Sequence, residues 1–583
     1  MLLSLPLFAQ FSGAYELFPR PGWVDPMIYV GYFLDAAGQI RNYGPYYFSQ
    51  RVPVIALGSL SYKFLSPAYA HLALGIVFQI VALISLFVIG KKAGGPLAGV
   101  FTGWWLGTNP LWIASATSGY IDAPAIAFAL ASIALLIHGT DLRKRVSSLL
   151  ATAGSGFMFA CVLALHPVPA LLTAVALLLA LFLLPSISSN LVRMLSMVAG
   201  CLFGLSAMAI YSYAIGGPFL FLLHDSAPIR NAIAGNALPF VRPTSDWLPG
   251  AFRLGTPFIL LALATILLVR TGKGEAVARK HLFSLGLLTL LATLVFIGVW
   301  DLLLQGLMAQ TWFYASYLLI GQGLLVAFIS GTLLAKREIS VRRDLGALIA
   351  YGVIIAGTLS VHEAIESFAD YRGATVTWIG ISLLSACLIL VAMIGMVRTA
   401  LVGLALMTSI VGIANSDTRF AFALPGTVPF RTFFELSLDI RRSADSTRLQ
   451  GRRVALWVDR NNFTTGDAKS DEHATYRFFV GGKKLALNSF DSLAGLWLWD
   501  KGVINFEMPT VFPENRQWLE RAQIPTSLIL VCTTTETCGQ GHLQLDALKI
   551  PTQIRSRTII WEEGLQPITV LIVDYIIESS KQN

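Results

Sequence analysis

The chain contains 583 residues, of which 55% are hydrophobic and only 13% are charged, and its formal net charge is +9. Ordinary soluble domains carry roughly 25% charged residues, and half that proportion leaves too little charge to cover a soluble surface of this size. The composition therefore excludes a soluble enzyme, a disordered protein and a collagen-like fibre, and it predicts a polytopic α-helical membrane protein.

The first part of the chain, residues 1–67, is predicted to be a partial first span followed by a loop on the outer membrane surface. Residues 1–11 are apolar but make only half of a crossing. The following segment is rich in Pro, Gly and Tyr, and its apolar residues have helical spacing at 27–34 and 52–64. Amphipathic helices of this kind usually lie along the membrane interface.

The second part, residues 68–414, is predicted to be the transmembrane bundle. One crossing takes about 20 apolar residues, and with the partial first span the total is about 12–13. The apolar runs that predict the spans are 68–90, 96–116, 123–139, 147–165, 167–184, 194–215, 251–270, 282–300, 313–335, 345–361, 374–397 and 399–414.

The charge distribution predicts the topology of these spans. Residues 415–583 contain 19 basic and 19 acidic residues, so the net charge of +9 lies wholly in 1–414. Basic residues there concentrate in alternate loops, among them 91–92, 143–145 and 270–280. Short loops rich in Lys and Arg stay in the cytoplasm, which puts the segment 12–70, the loop 216–250 and the tail outside. The charge is a topology signal and does not indicate nucleic acid as a partner.

The third part, residues 415–583, is predicted to be a soluble extracytoplasmic α/β domain, because strand and helix patterns alternate along it. Helices are expected at 429–449 and 514–522, and strands at 453–458, 476–480, 527–532, 558–561 and 568–576. Cys532 and Cys538 flank a short polar stretch in this tail. An oxidising compartment would allow them to form a disulfide, and two buried free thiols are the alternative.

Two carboxylates at the outer ends of helices are the first candidates for chemistry, since charges at membrane depth are costly and often functional. Asp25 precedes Pro26, and Asp122 lies two residues before Pro124. Both patterns are also typical of helix N-caps. Each carboxylate is therefore either a cap or a catalytic group, and together they could share a pocket at the membrane surface.

The order of these features resembles the GT-C glycosyltransferases. Asp25 in an outer loop, the stretch Tyr46-Tyr47-Phe-Ser-Gln-Arg51-Val-Pro53 and Asp122 at the start of a later span carry the resemblance. The most similar groups are the bacterial dolichyl-phosphate-mannose-protein mannosyltransferase-like and aminoarabinose-transferase-like enzymes. The motifs cover roughly residues 12–215, and the architecture covers the whole chain. Many members carry an Asp-Glu pair in the first loop, whereas Pro26 follows Asp25 here, so a second carboxylate would be Asp122 or Glu16.

The resemblance implies a GT-C-like bundle in the bacterial inner membrane with a periplasmic C-terminal domain. The implied reaction moves a hexose or pentose, with inversion, from a polyprenyl-phosphate donor to an envelope glycan, lipid or protein. Asp25 would be the general base, and Asp122 would orient the acceptor or the sugar. No cofactor is required; the outer carboxylates could bind a divalent metal, but no ligand spacing indicates one.

Arg51 is the favoured ligand of the donor phosphate, because a planar guanidinium suits phosphate oxygens. The alternative is a lone interfacial arginine on lipid headgroups. Weaker candidates for the phosphate are Arg20, His224 and Arg230, and candidate substrate contacts are Tyr46, Tyr47, His166 and Trp312.

Other functions compete with this one. A transporter or flippase of a lipid-linked substrate predicts ionisable residues or broken helices near mid-membrane and related halves, but the charges cluster at helix ends and no matching halves are evident. An envelope-glycan polymerase or ligase would typically have a large outer loop between late spans. A non-enzymatic scaffold displaying the tail would tolerate the loss of Asp25 and Asp122.

Overall fold

The computed structural model describes residues 24–43, 45, 47–107, 109–117, 119–139, 145–182, 187–223, 255–271, 277–303, 312–334, 438 and five strands between 453 and 575. The chain divides into two compact units. The described residues of Pro45–Ser61 and Tyr69–Phe420 belong to the first, and those of Phe18–Gly44, Tyr62–Ala68 and Ala421–Asn583 to the second. The domain boundaries expected at 67 and 414 stay predictions.

The described part of the chain up to residue 334 is almost entirely helical. Its helices are α1 Val24–Tyr43, α2 Val52–Phe64, α3 Pro67–Gly94, α4 Pro96–Gly107, α5 Pro110–Thr117, α6 Asp122–Gly139, α7 Arg145–Leu165, α8 Pro167–Phe182, α9 Ile187–Ala214, α10 Gly255–Thr271, α11 Val277–Gly298, α12 Trp312–Ala315 and α13 Leu318–Leu334. Short 3-10 turns occur at Tyr47–Gln50 and Phe221–Leu223, and a π-helical turn, Val299–Leu303, follows α11.

The predicted polytopic helical membrane protein is confirmed. Among the described residues, five helices are long and apolar enough to cross a membrane: Pro67–Gly94, Asp122–Gly139, Arg145–Leu165, Leu191–Ala214 and Arg279–Asp301. Shorter apolar helices occur at Val52–Phe64, Pro167–Phe182, Leu260–Val269 and Leu318–Thr332. The spans expected at 345–361, 374–397 and 399–414 lie outside the described residues. The total of about 12–13 spans therefore stays a prediction.

One predicted span, 96–116, is wrong as a single helix. The structure divides it into α4 and α5, which are separated at Asn109. The Asn109 Oδ1 accepts hydrogen bonds from the backbone N–H groups of Leu111 at 3.0 Å and Trp112 at 3.4 Å, and so caps α5. Pro110 occupies the first helical position, where a missing N–H costs nothing. The polar cap and the proline therefore override the apolar pattern.

Glycines allow close packing between helices of the first unit. α7 packs on α9, where a Cβ at Gly156 would collide with the Met197 carbonyl oxygen and one at Gly200 would collide with the Ala153 carbonyl oxygen. Small residues give transmembrane helices this close backbone approach.

α3, α11 and α13 contact one another at the ends that the sequence predicts to be cytoplasmic. The Arg279 Nη1 donates to the Gly331 carbonyl at 3.0 Å. A Cβ at Gly94 would lie 2.5 Å from the Gly331 Cα. Gly331 lies 14 residues beyond Tyr317, which is about 21 Å along a helix. The opposite end of α13, near Tyr317, therefore belongs to the other end of this helical unit.

In the second unit, α1 is kinked at Asp35, whose φ of −156° and ψ of 83° are not helical. The Asp35 Oδ1 accepts the Gly38 N–H at 2.8 Å, which caps the second half of the helix. The predicted helical segment 27–34 lies within the first half, and Phe33 packs against Tyr62 with ring centroids 5.4 Å apart.

The C-terminal part of the second unit contains a mixed five-stranded sheet. Its strands are β1 Arg453–Asp459, β2 Ile504–Met508, β3 Thr526–Cys532, β4 Thr552–Ile560 and β5 Ile568–Tyr575, in the order β2-β1-β3-β5-β4. β1 is parallel to both β2 and β3, and β5 is antiparallel to β3 and β4.

Four of the five predicted strands of the tail match this sheet. The sequence does not predict β2, and the strand expected at 476–480 lies outside the described residues. The structure also leaves undescribed the predicted helix at 514–522 and, except for Leu438, the predicted helix at 429–449. The disulfide between Cys532 and Cys538 stays a prediction.

Candidate functional site

Arg51 is a buried cation between two short structural elements. It connects the 3-10 turn Tyr47–Gln50 to α2, and its backbone N–H donates to the Phe48 carbonyl at 3.1 Å. Its side chain is only 3% exposed, and its Cζ lies 4.2 Å from the centroid of the Tyr47 ring. The Nε and Nη2 atoms are buried and have no hydrogen-bond partner among the described residues. Since buried polar groups are normally paired, this guanidinium is set up for a ligand.

Asp122 is a buried carboxylate at the start of α6. Gly119 has a φ of +73°, a left-handed conformation that glycine adopts without steric cost, and the turn it forms leads the chain into the helix. Asp122 is 2% exposed. Its Oδ1 accepts a hydrogen bond from the Tyr317 hydroxyl. The charge of Arg51 also acts on this carboxylate, so two of the residues predicted from the sequence are electrostatically coupled.

Tyr317 stands at a break between two helices. The predicted span 313–335 is divided into α12 and α13, and the Tyr317 N–H donates to the Tyr314 carbonyl at 3.1 Å in the intervening turn. The side chain is 1% exposed. The pKa of a tyrosine hydroxyl is ordinarily about 10, far above neutral pH. The hydroxyl therefore keeps its proton and acts as a donor.

His166 occupies the turn between α7 and α8 and packs against the same tyrosines. Its ring centroid lies 5.6 Å from that of Tyr317 and 5.9 Å from that of Tyr314. Burial, reinforced by the charge of Arg51, lowers the pKa of His166 to about 3. The Nδ1 accepts the Val168 N–H at 3.3 Å. The neutral imidazole therefore carries its proton on Nε2 and can donate a hydrogen bond from there.

These side chains come from four separate parts of the first unit. The 3-10 turn and the residue after it supply Tyr47 and Arg51. The start of α6 supplies Asp122, the α7–α8 turn supplies His166, and α12 with the turn after it supplies Tyr314 and Tyr317. Tyr47 and Tyr314 both act electrostatically on Tyr317. The result is a cluster with one cation, one carboxylate and hydroxyl and imidazole donors, in an aromatic setting. We call this set the outer cluster, after the side of the membrane on which the sequence predicts it: Tyr47, Arg51, Asp122, His166, Tyr314 and Tyr317.

The outer cluster brings together four of the residues predicted from the sequence: Tyr47, Arg51, Asp122 and His166. Asp25 lies at the start of α1 in the second unit and is partly buried. Trp312 begins α12. Arg20, Tyr46, His224 and Arg230 lie outside the described residues. The roles of all these residues stay predictions.

Two tyrosines of the outer cluster are not identified by the sequence. The local pattern indicates Tyr314 only as part of an interfacial aromatic belt, and Tyr317 only as an ordinary residue of a predicted span. The contact between Tyr317 and Asp122 joins positions 195 residues apart. No local pattern indicates such a pair, although a tyrosine at the outer start of an apolar run is a weak signal.

In the part of the chain that the structure describes, no three His, Cys, Asp or Glu side chains form a group that could hold a metal ion. Metal independence stays a prediction.

No protein-family model matches the sequence, and no curated protein sequence matches it. Among solved structures, the chain is similar to apo ArnT from Cupriavidus metallidurans, with 13% identity over 99% of this chain and 97% of that one, at a TM-score of 0.49. The same protein bound to undecaprenyl phosphate gives 11% identity, coverages of 99% and 98%, and a TM-score of 0.47.

The chain is also similar to the Archaeoglobus fulgidus oligosaccharyltransferase, with 10% identity over 78% of this chain and 62% of that one, at a TM-score of 0.41. Identities of this order leave the activity to be argued from the side chains of the site itself.

Proposed function

We propose that this protein is an integral-membrane glycosyltransferase that moves a sugar from a polyprenyl-phosphate donor to an acceptor on the outer face of the membrane. The observation that carries the proposal is Arg51, a buried guanidinium with two nitrogen atoms that have no hydrogen-bond partner in the described part of the chain, and whose charge acts on the buried Asp122 carboxylate. An uncompensated buried charge costs several kcal/mol. A phosphate would pair with the guanidinium, and a lipid-linked phosphate would reach this site from the bilayer.

The proposed reaction is an inverting displacement at the anomeric carbon of the sugar. The acceptor oxygen forms the new bond on one face while the bond to the phosphate oxygen breaks on the other. The phosphate leaves with the bonding electrons, and Arg51 stabilises its growing negative charge. The acceptor loses its proton to a carboxylate, for which Asp25 remains the proposed base. Asp122 orients the sugar or the acceptor hydroxyl.

His166 fits this reaction as a neutral hydrogen-bond donor. Its low pKa keeps the ring uncharged, and its Nδ1 is already occupied by the Val168 N–H. The Nε2–H therefore remains for an oxygen of the donor phosphate or of the sugar. A neutral donor beside Arg51 avoids the repulsion that a second cation would bring.

The proposed donor and location follow from the same cluster. The outer cluster lies at the end of the first unit opposite the basic ends of α3 and α11. If the basic loops are cytoplasmic, the reaction takes place on the outer face of a bacterial inner membrane, and the acceptor is a component of the cell envelope. A hydrophobic bundle would accommodate the polyprenyl chain in the bilayer.

The test is donor consumption by the purified full-length protein in liposomes. A panel of polyprenyl-phosphate sugars, radiolabelled in the sugar, is offered with extracts of envelope glycans, lipids and proteins as acceptors. Wild type is compared with Arg51→Gln, Asp25→Asn and Asp122→Asn. Asp35→Asn serves as the matched control, since the amide oxygen of the substituted side chain can still cap the Gly38 N–H.

We expect wild type and Asp35→Asn to consume one donor at the same rate. The loss of a general base lowers turnover by roughly 10²–10⁴-fold, and we expect Asp25→Asn to fall in this range. Equal turnover in wild type, Arg51→Gln and Asp25→Asn would contradict the mechanism. Consumption of a diphosphate-linked oligosaccharide instead would favour the polymerase or ligase alternative.

A further inference from the structure

The positive charge of Arg51 acts on the Asp122 carboxylate, yet among the described residues no hydrogen bond joins the two side chains. The Arg51 Nε and Nη2 donate to no oxygen among the described residues. The Asp122 Oδ1 instead accepts the hydroxyl of Tyr317. A buried arginine and aspartate that could rotate freely would be expected to close into a direct, hydrogen-bonded ion pair. Something must therefore hold the carboxylate in its present position.

Tyr317 has the rigidity needed for this task. It lies in the tight turn between α12 and α13, where the Leu319 N–H donates to the Ser316 carbonyl at 2.9 Å and the Ile320 N–H to the Tyr317 carbonyl at 3.3 Å. The aromatic contacts with His166 and Tyr314 have interplanar angles of 40° and 48°. With its ring packed on two sides and its side chain 1% exposed, the hydroxyl has a fixed position.

We propose that Tyr317 is a positioning residue that keeps the Asp122 carboxylate from pairing with Arg51, so that Arg51 stays available for the phosphate of the lipid donor. The proposal rests on the proposed function, because it takes a lipid-linked phosphate as the ligand of Arg51. It assigns Tyr317 a role exerted through Asp122. Without the hydroxyl, Asp122 would turn toward Arg51 and compete with the phosphate.

The test is a double-mutant cycle on phosphate binding. The substitutions are Tyr317→Phe, Asp122→Asn and both together, in the full-length protein. Phe keeps the ring that packs on His166 and removes only the donor. The probe is a polyprenyl monophosphate without sugar, whose binding is measured in detergent micelles by displacement of a radiolabelled copy. Tyr213→Phe, in which a tyrosine that is 71% exposed on α9 loses its hydroxyl, is the control.

When Asp122 is unchanged, we expect Tyr317→Phe to weaken binding of the polyprenyl monophosphate about tenfold. In the Asp122→Asn background, Tyr317→Phe should change binding by less than about twofold, because a neutral amide does not compete for the cation. The coupling between two such neighbouring changes is what a cycle measures. Tyr213→Phe should bind as wild type does.

Two outcomes would overturn the proposal. An equal loss in both backgrounds would mean that Tyr317 contacts the phosphate directly or acts through the fold. No loss in either would mean that its bond to Asp122 has no effect on the ligand site. A melting curve of each variant separates a folding defect from these outcomes.

The result that would refute the proposed function differs from the results that would refute the positioning role of Tyr317. If wild type neither binds the polyprenyl monophosphate nor consumes a polyprenyl-phosphate sugar, the reaction is refuted. The positioning role is then tested by the same cycle with inorganic phosphate as the probe. A tenfold loss of phosphate affinity that requires Asp122 would keep the positioning role, and its absence would reject it.

Discussion

Replacing Arg51 tests the site most sharply, since this side chain has unused hydrogen-bond donors in a buried position. Arg51→Gln removes the charge and the planar fork but keeps a polar side chain. A hydrogen bond to a charged group contributes about 1.5–3 kcal/mol, and two such bonds to a phosphate would contribute about 3–6 kcal/mol. Rearrangement and water entry recover part of this, so about 3–4 kcal/mol is a reasonable net loss, which corresponds to roughly 10²–10³-fold in kcat/KM.

Arg51→Lys distinguishes charge from geometry. Lysine keeps the positive charge but lacks the fork and stacks less well on the Tyr47 ring. We therefore expect a loss of about 10-fold, between wild type and Arg51→Gln. The assay is release of polyprenyl monophosphate from a labelled polyprenyl-phosphate sugar by the protein in liposomes. Arg193→Gln, on α9 and far along the chain from the cluster, is the control for loss of one positive charge.

Two results would refute the phosphate-binding role of Arg51. If Arg51→Gln kept more than about a third of wild-type kcat/KM while remaining folded, the guanidinium would not bind the donor phosphate. If Arg193→Gln lost as much activity as Arg51→Gln, the effect would be one of general charge. Either finding would favour the alternative of an arginine that contacts lipid headgroups.

Three further predictions concern His166, Asn109 and Gly119. The pKa of His166 is about 3 in the fold and about 6.5 in the unfolded chain. Its contribution to the free energy of unfolding therefore falls as pH drops from 6.5 toward 3, and His166→Gln should flatten this pH dependence in chemical denaturation. Asn109→Ala should cost about 1 kcal/mol by loss of the α5 cap, measured by thermal unfolding against the wild type. Gly119→Ala should cost about 1–2 kcal/mol because its φ is +73°; unchanged melting of either variant would contradict these assignments.

Much of the fold could be predicted because apolar length and loop charge are strong signals. The helices α3, α6, α7 and α8 begin and end close to the predicted spans, with differences of a few residues. The break at Asn109 coincides with Gly107-Thr108-Asn109-Pro110, which interrupts the apolar run, whereas the residues around Tyr317 carry no such signal. A cap followed by proline indicates the first break in retrospect, but the second has no proline or glycine.

The candidate site was predictable only in part. Arg51, Asp122 and His166 could be selected because polar residues at the outer ends of helices are uncommon and costly. Their mutual proximity is a property of the tertiary packing, since the α6, α7–α8 and 3-10 segments are distant in sequence. Tyr317 could not be selected, because a tyrosine at the start of an apolar helix is ordinarily an interfacial anchor.

The central claim is that a lipid-linked phosphate sugar is cleaved at its sugar–phosphate bond. The most direct measurement is mass spectrometry of the lipid fraction after wild-type protein in liposomes has been incubated with the donor panel and envelope acceptors. We predict that one donor disappears while an equal amount of polyprenyl monophosphate and of glycosylated acceptor appears, and that Arg51→Gln slows the formation of both roughly 10²–10³-fold. A donor that crosses the bilayer without being cleaved, or a donor whose phosphate is released together with the sugar, would contradict this claim.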